Sequence, residues 1–170
     1  MDFKTVGDNA GLNQALFQVT HGLYILTSVV GDKLNGQCLD ALMQVTNMPP
    51  RMAIGVGKRS LTHEMIMESG IFVANVLDRE DPKCYDKVKH YGFQSGRKVN
   101  KFENVECILG ENGAPILPEA KAFYECRVVK ELCVDLGTHT IFVGAVERAG
   151  EREVGEPLTY NEYRKVMKKT

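Results

Sequence analysis

The turn Lys58-Arg59-Ser60-Leu61-Thr62-His63 gathers two cations, two hydroxyls and an imidazole within six residues. It lies between a β-rich run, Met52 to Gly57, and the helix-spaced apolar positions Leu61, Met65 and Ile66. Ser60 is therefore placed as the N-cap of a helix running from about Leu61 to Ser69. A helix N-terminus offers unpaired N–H groups and the positive end of the dipole, so cations and hydroxyls converging there form an anion site of the kind that holds phosphate. The plain reading of the same residues is a pair of helix caps beside a solvated turn.

Other chemistries fail on spacing. Gly55-Val56-Gly57-Lys58-Arg59-Ser60 has serine where G-x-G-x-x-G needs glycine, and arginine where a P-loop needs Ser or Thr after Gly-Lys. His63-Glu64 opens like a zinc-protease helix, but position 67 is methionine. No Ser-His-Asp or Cys-His arrangement is visible. Cys38, Cys84, Cys107, Cys126 and Cys133 are odd in number and contain no C-x-x-C pair, so neither a disulfide framework nor a zinc knuckle is expected. Metal and covalent catalysis find no support.

The 170 residues suit one domain, 1–170, with a sizeable core. With 21 basic and 22 acidic residues the net charge is −1, too little field to gather nucleic acid or an anionic membrane. The N-terminal MDFKTVGDNAG has no signal-peptide pattern and no run reaches membrane-spanning length, so a cytoplasmic protein is expected.

The elements that must position the turn follow from periodicity. Asp8 caps a first helix with Leu12, Ala15, Leu16 and Val19 on one face, expected to pack on a sheet and to stop at Gly22. Leu23 to Val30 and Leu34 to Leu39 form a hairpin across Gly31-Asp32, and Leu39 to Thr46 reads as a further strand ended by Asn47-Met48-Pro49-Pro50. Ile71 to Leu77 is a strand, and Asp81-Pro82 opens a helix reaching about Tyr91. Phe93 to Phe102 has no period and carries three cations, as binding loops often do. Ala122 to Leu132 and His139 to Val146 read as central strands, and Thr159 with Glu162 forms a capping box for a terminal helix. The fold class is mainly β (α+β), a β-barrel with peripheral helices.

Taken in order, GLYILTS (22–28), Asn35-Gly36, Gln44-Val45-Thr46 with Pro49-Pro50, KRSLTH (58–63) and FVANVL (72–77) resemble the flavin reductase-like family. Ser95-Gly96-Arg97 with Lys101-Phe102, GTHTIFVGAV (137–146) and Pro157-Leu158-Thr159-Tyr160 extend the resemblance, which covers about residues 12–165. It implies an FMN-binding split β-barrel, a homodimer with FMN near the interface, and reduction of the flavin by NADH or NADPH. Electrons would pass on to a free flavin, a metal complex or a small redox protein.

On this resemblance the flavin ring lies along Asp40, Ala41, Leu42, Met43 and Gln44, with Thr27 among the cofactor contacts. The phosphate sits at Lys58, Ser60 and Thr62. Ser95, Arg97 and Lys101 belong to a loop closing over the cofactor, and His139 falls on the nicotinamide or acceptor side as the catalytic candidate. On spacing alone His139 opens a strand and reads more readily as a structural histidine. Three positions depart from the family pattern: Cys38 replaces a plain apolar residue, Asp40 a small or amide residue, and Thr138 an aspartate before the histidine. An acid at position 40 beside a flavin disfavours its anionic reduced form and lowers its potential. A non-catalytic FMN-binding electron relay or sensor stands as the alternative function.

Overall fold

The computed structural model describes residues 2–167. Strands β1 (Tyr24–Val30), β2 (Lys33–Leu39), β3 (Leu42–Asn47), β4 (Pro50–Gly57) and β5 (Ile71–Val76) come from the first half of the chain. The short pair β6 (Ile108–Leu109) and β7 (Pro115–Ile116) follows, then β8 (Ala122–Val128), β9 (Val134–Asp135) and β10 (His139–Glu151). The main sheet is antiparallel in the order β2-β1-β5-β8-β10-β4-β3, with β9 added beside β10. Helices are α1 (Asn9–Leu16), α2 (Leu61–Ser69), α3 (Cys84–Gly92) and α4 (Tyr160–Met167). This is the mainly β class that alternation and turn chemistry predict.

Three apolar clusters hold the sheet together. Leu26, Ile54, Val56, Phe72 and Phe142 fill the barrel side, with Ile66 of α2 inserted among them. Ile25, Leu77, Val88 and Tyr91 pack α3 onto the opposite face with Leu158 and Tyr163. Val73 with Ala114 and Ile116 seals the β6–β7 end. Burial of this kind is the main favourable term for the fold.

Local rules succeed where both ends of an element are written in neighbouring residues. Helix α2 occupies Leu61–Ser69, Ser60 Oγ accepts from His63 N at 3.1 Å, and Gly70 closes it in the left-handed region at φ 70°. The capping box is reciprocal: Glu162 N donates to Thr159 Oγ1 at 3.2 Å and Thr159 N to Glu162 Oε2 at 3.0 Å.

Five expectations need correction. Asp8 does cap α1, but the helix ends at Leu16 rather than Gly22 and buries none of its residues, so it packs on no sheet. The run Leu39 to Thr46 is not one strand, because Leu42 N turns back to Asp40 O and Gly55 N reaches Ala41 O, both at 2.9 Å. The helix expected from Asp81-Pro82 starts at Cys84, since the Asp81 carboxylate instead takes Lys83 N and Lys87 Nζ. The strand from Ala122 stops at Val128 and gives way to a 3₁₀ turn at Lys130–Leu132. β10 continues past Val146 to Glu151, with a bulge between Val146 and Arg148. No helix among the described residues is long and apolar enough to cross a membrane.

Candidate functional site

Two adjoining cavities meet at β2. The first, about 480 Å³, lies between β2, the N-terminus of α2 and the segment after α3; its walls include Asn35, Gln37, Arg59, Ser60, Thr62, Ser95 and Lys101. The second, about 590 Å³, lies over β4 and the start of β10 and is lined by Gln37, Leu39, Asp40 to Met43, Gly55, Gly57, Leu136 and His139. Gln37 and Cys38 line both, so the two form one elongated cleft.

The α2 end is polar and tightly braced. Thr62 is buried and its Oγ1 accepts from Asn35 Nδ2 at 2.9 Å, which ties the helix start to β2. Since Ser60 Oγ serves His63 N, the N–H groups of Leu61 and Thr62 are left with no intrahelical acceptor. Lys101 is 3 % exposed; its Nζ donates to Gly36 O at 2.9 Å and Tyr91 O at 2.7 Å, fastening β2 to α3. Burial lowers its pKa from the usual lysine range. Tyr91 lies so close that a Cβ on Gly36 would sit 3.1 Å from its ring.

The β4 end is wider and more apolar. Gly55 and Gly57 leave its floor without side chains, and Leu39, Ile54 and Ile141 line its sides. His139 is exposed at the mouth with Nδ1 2.9 Å from Thr138 Oγ1. Asp40 is the one carboxylate among the residues lining the two cavities. Its charge, after burial, pushes the Cys38 thiol up to about 12, while Lys101 opposes the shift. Cys38 is a half-buried small group at the junction of the two cavities, and its raised pKa keeps the thiol protonated at neutral pH.

The structure brings together Asp40, Ala41, Leu42, Met43 and His139 at one end, and Ser60, Thr62, Ser95 and Lys101 at the other. Four of the expected cofactor residues lie elsewhere. Thr27 is fully buried in the sheet and its Oγ1 donates to Pro115 O at 2.5 Å. Gln44 is exposed beyond the cleft, where its side chain meets Asn47. Lys58 Nζ pairs with Asp135 Oδ1 at 2.6 Å and lines neither cavity; of the two cations in that turn, Arg59 is the one that does. Arg97 turns to Glu64 on α2, at 2.7 Å.

Sequence reasoning missed Gln37 and Asn35. The signal was present, since two amides at i and i+2 of a strand share one face, where alternation places either core or ligand. Gln37 Oε1 is buried and unpartnered among the described residues. An acceptor in that state costs free energy unless a bound group donates to it. His63, weighed in the sequence only as a metal ligand, has a structural role: its Nε2 lies 2.8 Å from Thr140 Oγ1, and burial, then the Lys58 charge, lowers its pKa against the opposing pull of Asp135. It braces α2 on β10 beneath the cleft.

The family model described as flavin reductase like domain matches residues 16–167. This chain belongs to that family. It is 40% identical over 157 residues to a high molecular weight rubredoxin of Moorella thermoacetica, covering 92% of this chain and 67% of that protein. It is 36% identical to a ferric-chelate reductase (NAD(P)H) of Archaeoglobus fulgidus, covering 92% and 90%. Among solved structures, the NADH:FAD oxidoreductase SgcE6 of Streptomyces globisporus superposes with a TM-score of 0.80 at 26% identity, over 94% of this chain and 92% of that one. Flavoredoxin from Methanosarcina acetivorans gives 0.75 at 27%, over 90% and 77%.

Proposed function

We propose that residues 1–170 form one flavin reductase-like domain that binds FMN in the cleft and passes electrons from NADH or NADPH through it. The observation that carries this reading is the shape and polarity of the cleft. Arg59, Lys101 and free helix N–H groups lie at one end, an apolar slot with a histidine at its mouth lies at the other, and the unpartnered Gln37 Oε1 lies between. A phosphate, a polyhydroxyl linker and a flat ring fit that order. When bound, the flavin supplies the two-electron chemistry, accepting hydride from the reduced nicotinamide.

The chain's own residues bind and orient. The α2 N-terminus and Arg59 hold the phosphate through charge-assisted hydrogen bonds. Gln37 accepts a hydrogen bond from the middle of the cofactor. Leu39, Ile54 and Ile141 exclude water from the ring, and His139 borders the face on which the nicotinamide must stack. Hydride transfer needs no side-chain acid or base, which agrees with a site lacking a triad.

A homodimer is part of the reading. Met43 and Val45 are exposed on the edge strand β3 and Met48 is 95 % exposed, an apolar margin that a second chain would cover. Reduced thiols and the absence of any long apolar helix among the described residues fit a cytoplasmic setting. The onward acceptor is a free flavin, a metal complex or a small redox protein.

The test is a paired titration of FMN and riboflavin, followed by anaerobic mixing of the loaded protein with NADH or NADPH. FMN should bind at about one per chain and at least about tenfold tighter than riboflavin, the ratio expected of one charge-assisted phosphate contact. Equal affinities would remove the phosphate site, and a yellow protein that neither donor bleaches would instead be an electron relay or sensor.

A further inference from the structure

The sheet encloses a hollow that the cleft does not use. A cavity of about 660 Å³ is lined from β3, β4, β10, β8, β5 and β1. Its wall is largely aliphatic and aromatic, with Leu42, Met52, Val76, Val146, Tyr24 and Tyr124 among the residues that form it. Leu42, Tyr124 and Val146 also pack against the barrel cluster, so the wall is continuous with the core.

Arg51 stands in this apolar setting with nothing to bind. Its Nε is buried and has no hydrogen-bond partner, and its guanidinium joins no ion pair among the described residues. Glu151 is the one carboxylate in the lining, but it is exposed and pairs with Ala122 at the end of β10, whereas Arg51 pairs with Ala145. Lys121, at the Glu151 end, is already engaged with the carbonyls of Arg152 and Val154.

A buried N–H without an acceptor costs free energy that a bound acceptor recovers. The planar fork of a guanidinium matches a carboxylate, which takes two parallel N–H bonds from it. A small hydrophilic anion would leave the apolar wall uncovered, so the wall calls for an apolar body behind the carboxylate. Neighbouring strands lie about 4.8 Å apart, and the four steps from β4 through β10, β8 and β5 to β1 trace roughly 19 Å along the curved sheet. That length accepts a chain of about eight carbons.

We propose that this cavity binds a medium-chain monocarboxylate, with its carboxylate on Arg51 and its chain directed towards Tyr24. The site is separate from the flavin cleft and stands whether or not the cleft takes FMN. The two share only a wall, since Leu42 and Met43 line both this cavity and the ring end of the cleft. Val45 and Met48, exposed on the margin assigned above to a second chain, do not line it.

The experiment is isothermal titration calorimetry with octanoate and with octan-1-ol, on the purified protein and on Arg51→Met and Arg51→Lys. Octanoate should bind the parent protein at about one per chain and at least about tenfold tighter than octan-1-ol, the ratio expected of one charge-assisted contact. In Arg51→Met the ratio should fall to within about twofold with octan-1-ol affinity unchanged, which also shows the wall to be intact. Arg51→Lys keeps the charge but not the fork and should lie between. Saturating FMN should leave octanoate affinity within about twofold. Equal affinities of acid and alcohol for the parent protein, several equivalent weak sites, or a ratio that survives in Arg51→Met overturn the proposal. Displacement of octanoate by FMN overturns it too, assigning the acid to the flavin cleft. So does dissociation of Arg51→Met, but not of the parent protein, in sedimentation, which gives the fork to a carboxylate of a second copy. If Arg51→Met fails to fold, the ratio in the parent protein and in Arg51→Lys decides. A protein that binds octanoate but no FMN supports the site and overturns the flavin-binding reading alone.

Discussion

At the α2 end of the cleft nearly every polar side chain already has a protein partner: Ser60 with His63 N, Thr62 with Asn35, Lys101 with two carbonyls. At the β4 end, His139 is exposed at the mouth with only its neighbour Thr138 on Nδ1, and Asp40 sits at a break between strands. The first end is part of the scaffold, and on the proposed reading a ligand there would meet what the scaffold leaves over, chiefly helix N–H groups and Arg59. The second is a surface on which chemistry can be altered without disturbing what holds the protein together. Substitutions should therefore separate into those that affect folding and affinity and those that affect electron transfer alone.

The sharpest way to break this contrast is Lys101→Met, which keeps the stem but strands the carbonyls of Gly36 and Tyr91. It should lower stability by about 3 kcal/mol, or roughly 10 °C in Tm, with FMN affinity falling as well. Thermal unfolding of the apo-protein checks it, and an unchanged Tm would remove the braced end from the comparison. His139→Ala should do the opposite: Tm and FMN affinity hold while reduction by NADH or NADPH slows about tenfold, read by stopped flow. Asp40→Asn should raise the two-electron potential of the bound flavin by about 20 mV, the equivalent of roughly 1 kcal/mol of charge interaction, measured against a reference dye. The smallest effect is expected from Lys58→Ala. Its partner Asp135 is largely exposed, the Lys58 hydrogen bond and then Gly137 N–H hold that carboxyl below the usual range, and a pair so open to solvent contributes little. FMN affinity should change less than about threefold; a loss of tenfold or more would return Lys58 to the phosphate site.

Legibility in the sequence divides along a similar line. The bounds of α2 are readable because a serine cap, an apolar 3.6 spacing and a glycine stop all lie within the segment itself. The cationic loop is not: Arg97 and Lys101 lie four residues apart, yet one pairs with Glu64 and the other is buried beneath β2, because their partners lie 33 and 65 residues away. The fate of Lys58 was hidden for the same reason, since Asp135 belongs to a strand 77 residues on. Helix α1 shows the converse failure. Its spacing is that of a packing face, but Leu16 is 61 % exposed, and periodicity cannot report whether a surface exists to receive it. The strand segment Asp40 to Met43 was singled out through family resemblance, while the floor of glycines beside it and the orphan acceptor on Gln37 came only with the fold.

The pairing of β4 with β10 sets Gly57 opposite His139, closing one wall of the cleft from segments more than eighty residues apart. On a ribosome the chain emerges from its N-terminus, so the α2 turn and β2 are exposed well before His139 is made. A nascent chain lacking β10 has the residues of the α2-end cavity but not the wall that Ile141 and His139 give the other one, the proposed ring slot. Closing a loop of that length costs only slowly growing entropy once both strands are present, but it cannot begin before the second exists. Cofactor capture is thus confined to the last stage of synthesis or to the released protein. Truncated chains ending before residue 139 should leave the ribosome colourless whatever the supply of flavin.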